Sequence, residues 1–375
     1  MHSLSLAAAI LASTSLVQLV VGHGQVNRVT VGSTSNSGPN QYYSGDSKNS
    51  KTATRVMYKA SSPAYVLPNG FTDNSQMSCE GSSKSPAPET ISVAAGQEIE
   101  VFWEGATSEL KGQPGTGSLT AYNPWVHAMG FVIDYITSCN GDCTTFDATN
   151  AGWTKIAHAG MDMSQSISSA LRATMKAKPE QYYPTSGNGL WAMAKMVQNG
   201  SKWSIKIPSS LKSGQYMVRH ELSAVHNPKN SDPTTGPQLY IACIQLDVTN
   251  GGDATLPAGT QAKSLYSPDG AFVNINVLSG FNPADIGIPG PAIWDGVSSS
   301  SSNNGNTGNK AATTKATTAA AFAPTTTKKA ATTTSSGAAS TSSRACRKRR
   351  GLLTRGKRAH KANAPSRRTH QNRLA

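Results

Sequence analysis

One of the eight histidines in this 375-residue chain, His23, stands where a histidine can do chemistry that no internal one can. Leu4 to Val21 is a mostly apolar run, too short and too early for an ordinary membrane span, and it ends in Val20-Val21-Gly22. This is the pattern of a secretory signal peptide over residues 1–22, with small residues placed before the cut. Cleavage after Gly22 makes His23 the first residue of a chain that begins His23-Gly24-Gln25-Val26. Its free α-amino group and its imidazole then offer two nitrogens to one metal ion. A cut elsewhere, for instance after Ser13, removes that chelate. Because the amine binds only after losing its proton, with an unperturbed pKa of roughly 7.7–8.0, metal affinity should fall in acid.

What other donors are available depends on the cysteines. Cys79, Cys139, Cys143 and Cys243 lie in the body of the chain and Cys346 in its tail, which in a secreted protein reads as two disulfides and a spare. Four cysteines allow three pairings. The short, turn-like loop Cys139-Asn140-Gly141-Asp142-Cys143 is well placed to close on itself, which leaves Cys79 with Cys243. With sulfur consumed, a copper site would draw on imidazole nitrogens in a flattened geometry that keeps positions open for oxygen. His127, His158, His220 and His226 are the remaining body histidines. His127 sits in Pro124-Trp125-Val126-His127-Ala128-Met129-Gly130, a loop just before an apolar run, where ligands are commonly held on a rigid scaffold. Taken alone, it is as well explained as a structural histidine.

The elements that must position these residues are mostly strands. Ile91 and Val93, Ile99 to Trp103, Gly130 to Tyr135, Trp153 to Ala157 and Trp203 to Ile207 are apolar runs separated by Gly, Pro, Asn and Ser clusters. Tyr216, Val218, His220, Leu222, Ala224 and His226 alternate along one run, and Gln238, Tyr240, Ala242, Ile244, Leu246 and Val248 along the next. Gln238 and Tyr240 share parity and so face one side of one strand, as two residues of a plain core strand would also do. Ser164 to Lys178 is the one helical candidate. Short strands, long loops and paired cysteines predict an all-β protein, an immunoglobulin-like or fibronectin-like β-sandwich over residues 23–297.

From Ser298 the composition changes. Residues 298–343 are rich in Ser, Thr and Ala and cannot bury a core, so they form a disordered linker; residues 344–375 are a basic tail. The net charge of +14 belongs to this region: residues 298–375 hold 16 Lys and Arg and no acid, which leaves 18 basic against 20 acidic residues in the rest. Behind a signal peptide the tail loses its force as a nucleic-acid arm. It is either cut at dibasic sites, adhesive toward anionic wall polymers, or a frame error; removal or error is favoured over function. Asn199-Gly200-Ser201 is the single glycosylation sequon and places that turn at the surface. No second apolar run reaches membrane length.

From His23 to about Trp294 the chain resembles the fungal lytic polysaccharide monooxygenases of auxiliary activity family nine, formerly classed as glycoside hydrolase family sixty-one. The resemblance is carried by His23-Gly24, Cys139-Asn140-Gly141-Asp142-Cys143, Trp203 to Pro208, Gly214 to Glu221, Ala224-Val225-His226, Gly236 to Cys243 and Ile288-Pro289-Gly290-Pro291. It implies one copper ion on a flat surface, held by both nitrogens of His23 and by His127, with Tyr240 as a buried axial group. It implies a hydrogen-bonding pair, His226 and Gln238, beside them. It further implies a secreted extracellular monomer that hydroxylates C1 and/or C4 of a β-1,4-glucan, most directly cellulose. The co-substrate would be O2 or H2O2 and the electron donor a small reductant or a secreted dehydrogenase; nucleic acid and membrane have no part. No pair of carboxylates is needed, unlike in a glycoside hydrolase. His220 is read as structural and His158 as incidental.

Two departures stand out. His127 to Cys139 is about two residues longer than in many relatives. In Phe272 to Val277, with Phe281 and Trp294 nearby, Val277 stands where a tyrosine that stacks on glucan is common, and Tyr42, Tyr43 and Trp125 are the candidate substitutes. The rival functions are a non-catalytic copper-binding or carbohydrate-binding protein on the same sandwich, a wall protein that works through its tail, and a monooxygenase acting on chitin or hemicellulose.

Overall fold

A computed structural model of the chain describes residues 23–41, 43–56, 65–106, 125, 127–169, 189–232, 235–277, 279 and 286–297. The signal segment, the linker and tail from residue 298, Tyr42 and Phe281 lie outside the described residues. The chain enters a strand at once, β1 (His23–Val31), and turns into β2 (Thr34–Ser37). A short helix, α1 (Asn74–Cys79), precedes β3 (Ile91–Ala94), β4 (Glu98–Ala106), β5 (Gly130–Ser138) and β6 (Gly152–Ala159). The pair β7 (Met161–Asp162) and β8 (Leu190–Trp191) leads into α2 (Ala192–Gln198). Then follow β9 (Lys202–Lys206), β10 (Gly214–Ala224), β11 (Gln238–Thr249) and β12 (Thr260–Gln261).

These strands make a β-sandwich. One sheet has the order β2-β1-β4-β9 and the other β12-β6-β5-β10-β11-β3. The β11–β3 pairing is parallel, and β10 is antiparallel to both neighbours along nearly its whole length. Ile99, Val101 and Trp103 of β4 point inward, and the Trp103 ring lies 5.9 Å from that of His220 on the opposite sheet. In β1 the pairing register slips between Val26 and Arg28, leaving Asn27 as an extra residue. That bulge turns both Val26 and Val29 into the core, a spacing that ordinary alternation forbids.

The six-stranded sheet is buried on both faces. Arg219 and Glu221 point away from the sandwich interior yet are fully buried, because α1 and the segment around Tyr266 cover them. Arg219 Nε donates to Met77 O at 2.9 Å and Nη1 meets Glu221 at 2.5 Å, while Tyr266 and Ser223 hydroxyls donate to the same carboxylate. Both expected disulfides form. Cys79–Cys243 ties the end of α1 to β11, and Cys139–Cys143 closes the loop after β5.

Three expectations need correction. β10 ends at Ala224, so His226 lies past the strand rather than in its alternation. The helical candidate starts later than expected: residues 164–168 form a turn and an isolated bridge from Ser166 to Gly189, a helix begins at residue 169, and the candidate from residue 170 on lies outside the described residues. The stretch at Val277 is no surface platform: Phe272, Val273, Ile275 and Val277 are all buried in the core. Among the described residues, no helix is long and apolar enough to cross a membrane.

Candidate metal centre

At one end of the sandwich, the start of β1, the residues before β5 and the start of β11 converge. Gly130 lets the chain pass tight against β10, since a Cβ there would strike the Ser223 carbonyl and the Met193 sulfur. Three residues earlier, His127 Nε2 lies 3.0 Å from the Tyr240 hydroxyl. That hydroxyl donates to Gln238 Oε1 at 2.7 Å, across the two-residue spacing that puts both side chains on one face of β11. Tyr240 thus sits between the His127 imidazole and the Gln238 amide.

His226 stacks on His127, with ring centroids 3.8 Å apart and planes 14° apart. Imidazole lone pairs lie in the ring plane. Two rings stacked in this way aim into separate parallel planes and do not share an ion in either one, which places His226 beside the His127 donor rather than with it. His127 and Tyr240 are buried, Gln238 nearly so, and His226 is half-buried.

The backbone brings His23 to the same end. It begins β1 and pairs with Ala106 of β4. Gly24 beside it lies flat under Trp125: a Cβ on Gly24 would come within 2.6 Å of that ring and would strike the Glu104 carbonyl oxygen. The Trp125 ring meets Tyr240 edge-on at 4.8 Å, His127 at 5.6 Å and Trp103 at 5.0 Å between centroids. Its backbone N–H donates to Ser201 Oγ at 2.9 Å. Ser201 is fully buried in a left-handed conformation with φ 62°, so the sequon turn is exposed at Asn199 and Gly200 but not at its serine. Trp125 is buried as well and is thus a spacer between the two histidine-bearing segments, not a stacking platform for glucan. Tyr43 is half-buried, as is Tyr65, whose ring lies 6.0 Å from Tyr240 and which sequence patterning missed.

The other two histidines stand apart. His220 is buried with Nδ1 2.6 Å from Asp134 Oδ1, an internal pair beneath Trp103, and His158 is exposed on β6. Among the described residues, no three His, Cys, Asp or Glu side chains gather as a metal cage. The donors present still fit a copper ion. Imidazole nitrogen is a donor that suits copper.

A β-sandwich that carries a histidine, tyrosine and glutamine cluster beside its own first strand defines a class, and the comparisons place the chain within it. Residues 23–284 match the model of Auxiliary Activity family 9, formerly GH61, and the chain belongs to that family. It is similar to the AA9 family lytic polysaccharide monooxygenase F of Malbranchea cinnamomea, with 33% identity over 62% of this chain and 76% of that one. It is similar also to the AA9 family lytic polysaccharide monooxygenase cel61B of Hypocrea jecorina, with 32% identity over 74% of this chain and 94% of that one. Among solved structures, Cel61B from Hypocrea jecorina, described as a glycoside hydrolase family 61 member, superposes with a TM-score of 0.52 at 28% identity over 72% of this chain and all of that one. HiLPMO9B gives 0.51 at 31% identity over 72% of this chain and 99% of that one. The family is one of polysaccharide monooxygenases, hence of oxidoreductases.

Proposed function

We propose that the chain is a secreted copper-dependent monooxygenase that cleaves β-1,4-glucan, with cellulose as its substrate, by hydroxylation at C1 and/or C4. The observation that carries this is the meeting of His127 Nε2 and the Tyr240 hydroxyl at 3.0 Å beside the strand that starts at His23. Residues 1–22 are removed as a signal peptide, and in support the family match begins at His23. His23 would then hold copper through its α-amino and imidazole nitrogens together with His127 Nε2, with the Tyr240 hydroxyl beside them. When bound, copper supplies one-electron chemistry with O2 or H2O2, fed by an external donor.

The remaining roles fall to the chain's own side chains. Gln238 fixes the Tyr240 hydroxyl by accepting its proton at 2.7 Å, so that a lone pair faces the His127 side. His226 holds the His127 plane by stacking on it and, half-exposed at the rim, orients the co-substrate and manages its protons together with Gln238. The protein works as a monomer, with residues 298–375 outside the catalytic unit.

The test combines intact-mass analysis of the secreted protein, copper titration, and product mass spectrometry on phosphoric-acid-swollen cellulose with a reductant. A chain starting at His23 that binds one copper and releases oxidised oligosaccharides is the expected result. A chain that starts at His23 and binds copper but oxidises no glucan would make this a copper-binding protein instead. Any other first residue would remove the chelate.

A further inference from the structure

We propose that Glu104 is the positioning residue of the N-terminal strand and holds the metal-binding start of the chain in place; the inference rests on the copper site proposed for His23. Among the described residues, strand pairing reaches residues 23–27 of β1 from the β4 side only. β4 pairs with β1 from His23 onward, but β2 reaches only from Arg28 to Val31. A strand end paired on one edge frays unless something else ties it down.

Glu104 supplies the tie. It lies opposite Gln25 in the register, on the outer face of its sheet. Gln25 Nε2 donates to Glu104 Oε1 at 2.5 Å and Asn27 Nδ2 to Oε2 at 3.2 Å, so one carboxylate holds two residues of this strand end. The second of these is the bulged residue. The other end of the Gln25 amide, Oε1, accepts from Gln41 N at 2.8 Å, and Gly38 N donates to Asn27 O at 2.6 Å, which brings the 38–41 segment over the free edge.

The placement is costly and unlike that of its neighbours. On the same face of β4, Glu100 is a third exposed and pairs with Lys202, whereas Glu104 is 1% exposed and makes no ion pair among the described residues. A buried carboxylate with no ion-pair partner among the described residues is costly even with the charge of Lys48 acting on it, and a sheet that needed only burial would be better served by an apolar residue. What the carboxylate offers instead is two acceptors for two N–H2 groups. An amide at this position has one acceptor and one donor, so Glu104→Gln would set N–H2 against N–H2. Exchanging both partners, as in Gln25→Glu with Glu104→Gln, restores every bond: residue 104 donates to residue 25, accepts from Asn27, and residue 25 still accepts from Gln41.

The test is copper(II) titration and electron paramagnetic resonance on the secreted chain, with melting temperature alongside, for wild type, Glu104→Gln and the exchanged double variant, at about pH 8 where the carboxylate is ionised. Glu104→Gln is expected to weaken copper binding about 10–100-fold, as loss of an outer-shell partner does, and to change the copper spectrum; the exchange is expected to recover both. A Glu104→Gln protein that melts lower but binds copper with wild-type affinity and spectrum would overturn the inference and leave Glu104 merely structural. An exchange that fails to recover the affinity would overturn it too. Wild type that starts at His23 and binds no copper would overturn the copper site itself, and this inference with it.

Discussion

The Tyr240 hydroxyl links two other side chains of the site, since it lies 3.0 Å from His127 Nε2 and donates to Gln238 Oε1. Tyr240→Phe should therefore do two separable things. It leaves Gln238 Oε1 short of a donor in a nearly buried position, which should lower stability by about 1–3 kcal/mol in urea unfolding. It also removes the oxygen 3.0 Å from His127 Nε2, which, with His23 and His127 as the proposed ligands, should change the copper spectrum while retaining most of the affinity. His127→Ala takes away a donor and should reduce affinity beyond the roughly 10–100-fold typical of outer-shell losses; a titration that finds the two variants equal would show that His127 is no ligand. Tyr240 and Gln238 were singled out in the sequence by the family resemblance, while their two-residue spacing placed them only on one face of one strand. Ser201 and Glu104 were not: Ser201 acts on Trp125 76 positions away and Glu104 on Gln25 79 positions away, and no local pattern marks such a partner.

At the scale of elements, β10 and β11 could be anticipated from alternating residues and β5 from its continuous apolar run, whereas β1 could not, because its bulge at Asn27 breaks the two-residue period. The helix α2 was hidden for the opposite reason: Ala192, Met193, Ala194, Met196 and Val197 are buried nearly all round, so it has no polar face to reveal its period. Gly24 shows how tightly β1 is seated. Gly24→Ala forces a methyl group against the Trp125 ring and the Glu104 carbonyl. It should push the first residue away from His127 and weaken copper binding while the far end of the sandwich stays intact, which titration together with far-UV circular dichroism would show. The two disulfides should differ as staples. Cys79–Cys243 spans 164 positions and Cys139–Cys143 spans 4, so chain entropy assigns the first about 5 kcal/mol and the second about 2. Unfolding of the paired alanine variants should rank in that order.

For the molecule as a whole, the high basic charge lies in the tail, so the pH response of the sandwich rests on its buried groups. Glu104 is the clearest of these. Burial raises its carboxyl from 4.5 to about 7, against the opposing hydrogen bond from Gln25, the charge of Lys48 and the hydrogen bond from Asn27. The folded state thus holds this proton more tightly than the unfolded chain does. Its contribution to stability is fully present below pH 4.5, declines as pH rises, and is lost above about 7, by at most roughly 3 kcal/mol. Other shifted groups act elsewhere or in the opposite sense. Asp142, Asp147 and Asp162 are held low by hydrogen bonds from Thr144, Thr149 and Ser164 and act below their usual 3.8. Burial lowers Lys155 to about 8, which adds stability as pH rises from there. His158, lowered chiefly by desolvation, opposes Glu104 within the same window. The informative quantity is therefore the difference between two proteins. In the metal-free state, wild type should lose stability relative to Glu104→Gln between pH 4.5 and 7 in urea unfolding; parallel curves over that interval would mean that the Gln25 and Asn27 hydrogen bonds keep the carboxylate ionised throughout.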